Sequence, residues 1–177
     1  MLREYLLPVM GASAVAGWKG GERAHQDFQF LTGAMEVKTT LAKQPQVVRI
    51  TSERQLDDAA TPALFLMVIV LDRQEGSGET LPDVVDSLRT VLAANPVARE
   101  QFEDALLTAD YLDVHATRYA DHGYFVRSVV LFRVGQGFPR IMESSLPEGI
   151  GDVNYGLSVA ACQSYAADMA ELRAMLI

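Results

Sequence analysis

The chain has 177 residues, of which 49% are hydrophobic, so it can bury one substantial core. Its formal net charge of −8 argues against a general nucleic-acid binder that relies on a large basic surface. The longest apolar run, residues 62–71, is too short to span a membrane, and no signal peptide is evident. The single cysteine, Cys162, excludes an internal disulfide and fits a reducing cytosol. We expect one cytoplasmic domain over residues 1–177 that contacts no membrane.

The first half of the chain predicts one helix followed by four strands. Apolar residues at helical spacing indicate an N-terminal helix, in which Pro8 is expected to cause a kink or break. Trp18 follows in a glycine-rich loop and is expected to pack into the core. Alternating patterns then predict strands at about 26–31, 34–40 and 46–52. Residues 63–71 are apolar at every position, which places this fourth strand in the middle of a covered sheet.

The second half predicts helices followed by further strands. Thr80 and Asp83 have the spacing of a capping box, and Asn95 before a proline is typical of a second helix start. A strand is predicted at 124–134, a short one near 153–159, and a closing helix from about Ala160 that buries Cys162. This order predicts an α/β fold with a mixed central sheet flanked by helices.

An acid and an acid-x-lysine triplet occupy two neighbouring strands. Period-2 alternation puts Glu36 and Lys38 on one face of the second strand, with apolar residues on the other face. Asp27 likewise faces away from the phenylalanines of the first strand. Pairing these strands as a hairpin across residues 31–33 would bring two carboxylates and one ammonium together. Such a group can hold Mg²⁺ and position a water against a phosphodiester.

The triplet alone is weak evidence, because an acid two positions before a lysine is a common accident among 23 acids. The alternation of apolar and charged residues strengthens it, since a half-buried strand requires this pattern. The alternative interpretation is an edge strand whose charged face simply meets water. From the local residues, both interpretations stay open.

The segment resembles the PD-(D/E)XK nuclease superfamily. Asp27, Glu36 and Lys38 match the aspartate, second acid and lysine of that motif, while Gln26 stands where proline is common. Over nearly the whole chain, the sequence is similar to a family of bacterial PD-(D/E)XK proteins found near restriction and phage-defence genes. The matching segments are 16–18, 26–28, 36–40, 49–52, 55–56, 118–119, 124–128, 138–140, 153–157 and Cys162.

This resemblance implies a restriction-endonuclease-like fold and a metal-dependent endonuclease that hydrolyses nucleic acid, with DNA as the expected substrate. Asp27 and Glu36 would bind Mg²⁺ or Mn²⁺, and Lys38 would orient the attacking water or neutralise developing charge. Gln55 is a further candidate catalytic residue that could hold a phosphate or the nucleophile. A local hydrogen bond at the start of a helix is the alternative role for Gln55.

A second interpretation is a catalytically inactive, nuclease-like binding or scaffold subunit of a defence complex. Relatives carry an additional N-terminal segment whose helix supplies a glutamate, and this chain is expected to begin inside or just after that helix. Glu4 could substitute for it or lie on the surface. The acidic net charge also favours the binding module, whereas the intact Asp27, Glu36 and Lys38 favour an enzyme. An unrelated domain with a chance triplet is the third interpretation.

Other chemistry-bearing residues give weaker signals. A cluster of arginines could contact phosphates or could pair with the many acids; its members are Arg118, Arg127, Arg133 and Arg140. His25 neighbours Asp27 in sequence, so on a strand it points to the opposite face. The sequence contains no Cys/His zinc pattern, glycine-rich phosphate loop or Gly-x-Ser-x-Gly elbow, which argues against an NTPase or a serine hydrolase.

Overall fold

The computed structural model describes residues 1–22, 24–41 and 43–177. Seven strands are present in this part of the chain: β1 Phe28–Phe30, β2 Gly33–Thr40, β3 Val47–Ile50, β4 Leu64–Glu75, β5 His122–Val134, β6 Tyr155–Ser158 and β7 Ala166–Ala167. The α-helices are α1 Leu7–Met10, α2 Leu81–Val91, α3 Pro96–Thr108, α4 Thr117–Ala120 and α5 Met169–Leu176. A π-helical segment, Leu2–Leu6, leads into α1, and a 3₁₀ segment, Gly11–Gly17, follows it.

Five strands form one mixed sheet in the order β1-β2-β4-β5-β7. The β1–β2 pair is an antiparallel hairpin, β2 runs parallel to β4, and β5 pairs antiparallel with both β4 and β7. Strand β4 is buried from Leu64 to Val70 and lies at the centre of the sheet. The predicted mixed α/β architecture and the central position of this strand are therefore confirmed.

The two faces of the sheet carry two separate hydrophobic clusters. Met35, Phe65 and Met67 belong to a cluster that includes buried side chains of α2, α3 and α5. Ala34 and Leu66 belong to the cluster on the other face, which is covered by β3, β6 and short 3₁₀ turns. Period-2 alternation sends odd-numbered β2 side chains to the helical face. Even-numbered residues, including Glu36 and Lys38, face the second cluster.

Helix boundaries follow local capping chemistry. Thr80 and Asp83 form the predicted capping box of α2, and the Asn95 side chain accepts a hydrogen bond from the backbone of α3. Trp18 is half-buried and lies against Phe102, with ring centroids 6.0 Å apart, as its predicted packing role requires. Pro8 lies in the first turn of α1, directly after the helix changes from the π-helical segment Leu2–Leu6 to α-helix.

Two predicted elements differ from the structure. Strand β3 does not extend the main sheet but pairs with β6 in a separate two-stranded sheet. The closing helix begins at Met169 instead of near Ala160. Residues Val159–Tyr165 form a 3₁₀ segment instead, and the Asp168 carboxylate caps α5 by accepting from two backbone N–H groups.

Cys162 lies in that 3₁₀ segment and is fully buried, as expected for a small apolar residue. Burial raises the pKa of its thiol to about 11, so the thiolate needed for nucleophilic chemistry is scarce at neutral pH. Among the described residues, every helix is too short or too polar to cross a membrane.

Candidate active site

The β1–β2 hairpin brings the two motif acids together. Phe28 pairs with Met35 in this antiparallel hairpin, and continuing the same register by one residue sets Asp27 opposite Glu36. One oxygen of Asp27, Oδ2, accepts a hydrogen bond of 2.8 Å from the backbone N–H of Val37. Asp27 precedes the first strand residue, and this bond ties its side chain to the neighbouring strand.

Lys38 lies beside these acids on the same face of β2. Its Nζ is 2.6 Å from Glu36 Oε1, and the two side chains retain only 15% and 1% of their exposed area. Strand geometry accounts for this contact, because residues two apart in a strand share a face and lie about 7 Å apart along it. The structure therefore places Asp27, Glu36 and Lys38 in one partly buried cluster.

Gln55 reaches the cluster from a different element, the 3₁₀ turn Glu53–Leu56. Its Oε1 accepts from Lys38 Nζ at 3.0 Å and from the backbone N–H of Thr51 at 2.9 Å. The bond to Thr51 is the local role considered for this residue, and the bond to Lys38 joins it to the acids. One oxygen atom makes both contacts.

Three side chains hold this turn in place. Ser52 caps it by accepting from the backbone N–H of Arg54. The buried Glu53 carboxylate accepts a bond of 2.9 Å from Val153 N–H in the loop before β6. Arg140 donates to the backbone carbonyl of Leu56 and pairs with Asp58 at 2.8 Å. These bonds connect the position of Gln55 to segments about a hundred residues later.

The electrostatics of the site favour the binding of an additional positive charge. Burial, reinforced by the neighbouring Asp27 carboxylate, raises the pKa of Glu36 to about 7 despite the opposing effect of Lys38. Burial also raises the pKa of Asp27, although the Val37 N–H and Lys38 oppose this rise. Two carboxylates whose charged forms are disfavoured by their surroundings are typical of functional sites.

The donor set fits a divalent cation. Glu36 Oε2 is fully buried and has no hydrogen-bond donor among the described residues. Asp27 uses Oδ2 for Val37, so Oδ1 is left for another partner. Carboxylate oxygens are the ligands that Mg²⁺ prefers, and it commonly keeps several waters beside one or two of them. In the described part of the chain, no group of three or more His, Cys, Asp or Glu residues could form an all-protein cage.

Several other predicted candidates lie outside this cluster. Glu4 is exposed and pairs with Arg3 at 2.6 Å, as a surface residue would. His25 is exposed and lines a separate cavity next to Gln26. Among the arginines, Arg140 is an ion-paired structural residue, and Arg133 lies over the ring of Phe65 on the opposite sheet face.

Sequence reasoning missed two features of the surroundings. Glu53 is one of three buried polar or charged residues recorded in the described chain, together with Gln26 and Glu36. No local pattern marks it, because its partner, Val153, is distant in sequence. The sequence also gives no local signal for Lys43, which lines a cavity near the end of β2 with Arg127.

The chain was compared with known proteins. The sequence model of the family described as "Putative PD-(D/E)XK family member (DUF4420)" matches residues 1–160. No curated protein and no solved structure matches the chain.

Proposed function

We propose that this chain, which belongs to that PD-(D/E)XK family, is a metal-dependent endonuclease. It would hydrolyse phosphodiester bonds of nucleic acid. The substrate we propose is DNA, and the setting a restriction or phage-defence system, following the resemblance described above. Mg²⁺ or Mn²⁺ is the proposed cofactor.

The observation that carries the proposal is the cluster of Asp27, Glu36 and Lys38, in which the Lys38 ammonium contacts Glu36 and Asp27 accepts from the backbone of the same strand. Glu36 Oε2 is buried without a donor, Asp27 lies opposite Glu36 in the hairpin register, and Lys38 is 2.6 Å from Glu36. A buried carboxylate oxygen without a partner costs free energy, which binding a cation would recover.

The chain's own residues can perform the following steps. Asp27 and Glu36 would hold the cation, which supplies a Lewis acid and lowers the pKa of a bound water. An ammonium has three N–H donors, and Lys38 uses one toward Glu36 and one toward Gln55. The third donor can reach an attacking water or a phosphoryl oxygen, where it would stabilise negative charge that develops in the transition state.

Gln55 acts as a positioning residue in this scheme. By accepting from Lys38, its oxygen fixes the direction of the ammonium group relative to Glu36. The amide nitrogen of Gln55 has no hydrogen-bond partner among the described residues, so it remains available to a substrate oxygen. Fixed donors of this kind contribute because they need no reorganisation during the reaction.

The proposal is tested by incubating the purified protein with plasmid DNA and with structured RNA in Mg²⁺, Mn²⁺ or EDTA. Cleavage should require the metal and should disappear in Glu36→Ala and Asp27→Ala, which remove the carboxylate ligands of the cation. The matched control is His25→Ala, because His25 neighbours Asp27 in sequence but is exposed and outside the cluster. Cleavage that persists in EDTA, or that needs His25, would contradict the mechanism.

The binding-module interpretation gives a different result in the same experiment. If neither this polypeptide nor a version extended at its N-terminus cuts any substrate, a catalytically inactive binding or scaffold subunit replaces the nuclease. In that case the hydrogen-bonded cluster around Glu36 has a structural role.

A further inference from the structure

A basic cavity lies at the carboxyl end of β2. It has a volume of about 500 Å³ and is lined by Lys43, Gln44, Gln46, Val70, Arg127 and Ser128. These residues come from the segment after β2, from the central strand β4 and from β5. The cavity is therefore assembled by the sheet and not by a single loop.

The sheet register places this cavity next to the candidate active site. Lys38 pairs with Val68, and Thr40 pairs with Val70, whose other neighbour across the sheet is Ser128. Val70 therefore lies two residues beyond Val68, the partner of Lys38, which is about 7 Å along β4. Because residues two apart share a face, the cavity opens on the same face as Glu36. Phosphates of one strand are spaced by about 3.4 Å along the axis of a duplex, so the two places are about two nucleotides apart along that axis.

A bulge in β5 brings Arg127 to this position. Val70 pairs with Ser128, but the next residue, Leu71, pairs with Val126, so Arg127 is left without a partner in the ladder. Bulges of this kind redirect a side chain and are common next to functional sites. Here the redirected side chain is a guanidinium that lines the cavity.

The charge of the cavity contrasts with the rest of the molecule. Among the residues that the structure describes, its lining includes two cations and no acid, in a chain whose net charge is −8. Neither Lys43 nor Arg127 has an ion-pair partner among the described residues. The remaining lysines, Lys19 and Lys38, are each paired with a glutamate.

A second cavity, of about 380 Å³, provides a comparison, because the arginine that lines it is ion-paired. It is lined by Arg54, but Arg54 pairs with Glu143 at 2.8 Å, and Asp57 adds another carboxylate. The charges there are balanced by acids. The cavity beyond Thr40 differs from this one because its described lining contains no acid.

We propose that the cavity lined by Lys43 and Arg127 binds the phosphate backbone of the nucleic-acid strand next to the scissile phosphate. This inference rests on the proposed function and specifies how that site holds its substrate. Lys43 and Arg127 supply charge, while the neutral donors of Gln44, Gln46 and Ser128 can bond phosphate oxygens. Such contacts position the backbone without selecting a base sequence.

The experiment measures binding of fluorescein-labelled 20-base-pair DNA and RNA duplexes, in Ca²⁺ to limit cleavage, over a range of salt concentrations. The test variant is Lys43→Ala with Arg127→Ala. The control of equal charge is Arg99→Ala with Arg173→Ala, since these arginines lie on α3 and α5, helices that cover the opposite face of the sheet. Melting temperatures confirm that each variant is folded, and Lys43→Arg with Arg127→Lys is the conservative variant.

The cavity variant should bind its preferred duplex about tenfold more weakly, and the slope of log K against log salt should fall by about 1.8, the value for two lost phosphate contacts. The control and conservative variants should keep the wild-type affinity and slope. An unchanged slope in the cavity variant, or an equal loss in the control, overturns the inference. Loss of folding in the cavity variant alone also overturns it, because it would make these exposed residues structural.

The result separates this inference from the proposed function. If cleavage depends on metal but the cavity variant has an unchanged salt slope, the nuclease proposal stands and the cavity has no part in substrate binding. Binding that depends on Lys43 and Arg127 without any cleavage supports the cavity and contradicts the nuclease. A wild-type chain that binds neither duplex overturns both.

Discussion

The Nζ atom of Lys38 lies 2.6 Å from Glu36 Oε1, and the same atom donates to Gln55 Oε1 at 3.0 Å. The ammonium is therefore held between a strand neighbour and a separate 3₁₀ turn. Such a group is fixed in direction before any substrate arrives. This preorganisation is the property that a charge-stabilising donor needs.

Removal of the Lys38 amine should slow the reaction without abolishing metal binding. We expect Lys38→Ala to lower kcat by about 10²-fold or more, the scale found when one donor that stabilises developing charge is lost. Calorimetric titration with Mn²⁺ should still detect binding, since both carboxylates remain. Lys19→Ala is the matched control, because the Lys19 side chain pairs with Glu22 and only its backbone N–H contacts Asp27. An unchanged cleavage rate in Lys38→Ala would contradict the assigned role.

The pKa of Glu36 predicts an unusual dependence of stability on pH. Its value of about 7 in the folded chain exceeds the ordinary 4.5, so between these values the folded state binds more protons than the unfolded state. The free energy of unfolding should therefore fall as pH rises from 4.5 to 7, by roughly 3 kcal/mol at most. Glu36→Gln cannot ionise and should lack this loss.

Thermal melts in EDTA between pH 5 and pH 8 measure this effect. Glu36→Gln should melt above the wild type at pH 8, and the difference should shrink toward pH 5. Glu4→Gln removes an exposed carboxylate and serves as the control, with little change expected. A difference in melting temperature between the wild type and Glu36→Gln that stays constant across this pH range would refute the burial effect. Added Mn²⁺ should stabilise the wild type more at pH 8, because its ligands must be deprotonated.

Gln55 should affect the rate through Lys38. Gln55→Ala removes the acceptor for Lys38 and for Thr51 N–H, so we expect kcat to fall about tenfold and stability by about 1 kcal/mol. Gln55→Glu keeps an acceptor in the same place and should restore most of the stability. Gln101→Ala, an exposed change on α3, is the control. A stability loss with an unchanged kcat would show that Gln55 serves the turn alone.

The two halves of the chain should not separate. Strand β4 pairs with β2 on one side and, along its whole length, with β5 on the other, so both halves share one sheet. Limited proteolysis at the exposed turn around Gly76 should leave the two pieces associated in gel filtration. A fragment ending near Gly78 that stays folded alone, as judged by circular dichroism, would contradict the single domain over residues 1–177.

Local geometry allowed much of this site to be anticipated. Glu36 and Lys38 share a face because side chains alternate along a strand with a period of two residues. The short hairpin then brings Asp27 next to Glu36. The continuous apolar run of β4 likewise indicated its central place, since only a strand covered on both faces is apolar throughout. These features depend on neighbours within about ten residues.

The tertiary structure alone decided the partner of β3, the contact of Gln55 with Lys38, and the meeting of Lys43 with Arg127. Strands pair through backbone groups that are the same in every residue, so the pattern of β3 could not distinguish β2 from β6, about a hundred residues later. Lys43 and Arg127 line one cavity because β4 sets the register of β2 and β5 and a bulge redirects one residue. Sequence periodicity predicts the face of the strand on which a side chain lies. Packing of the whole sheet determines which distant residues it contacts there.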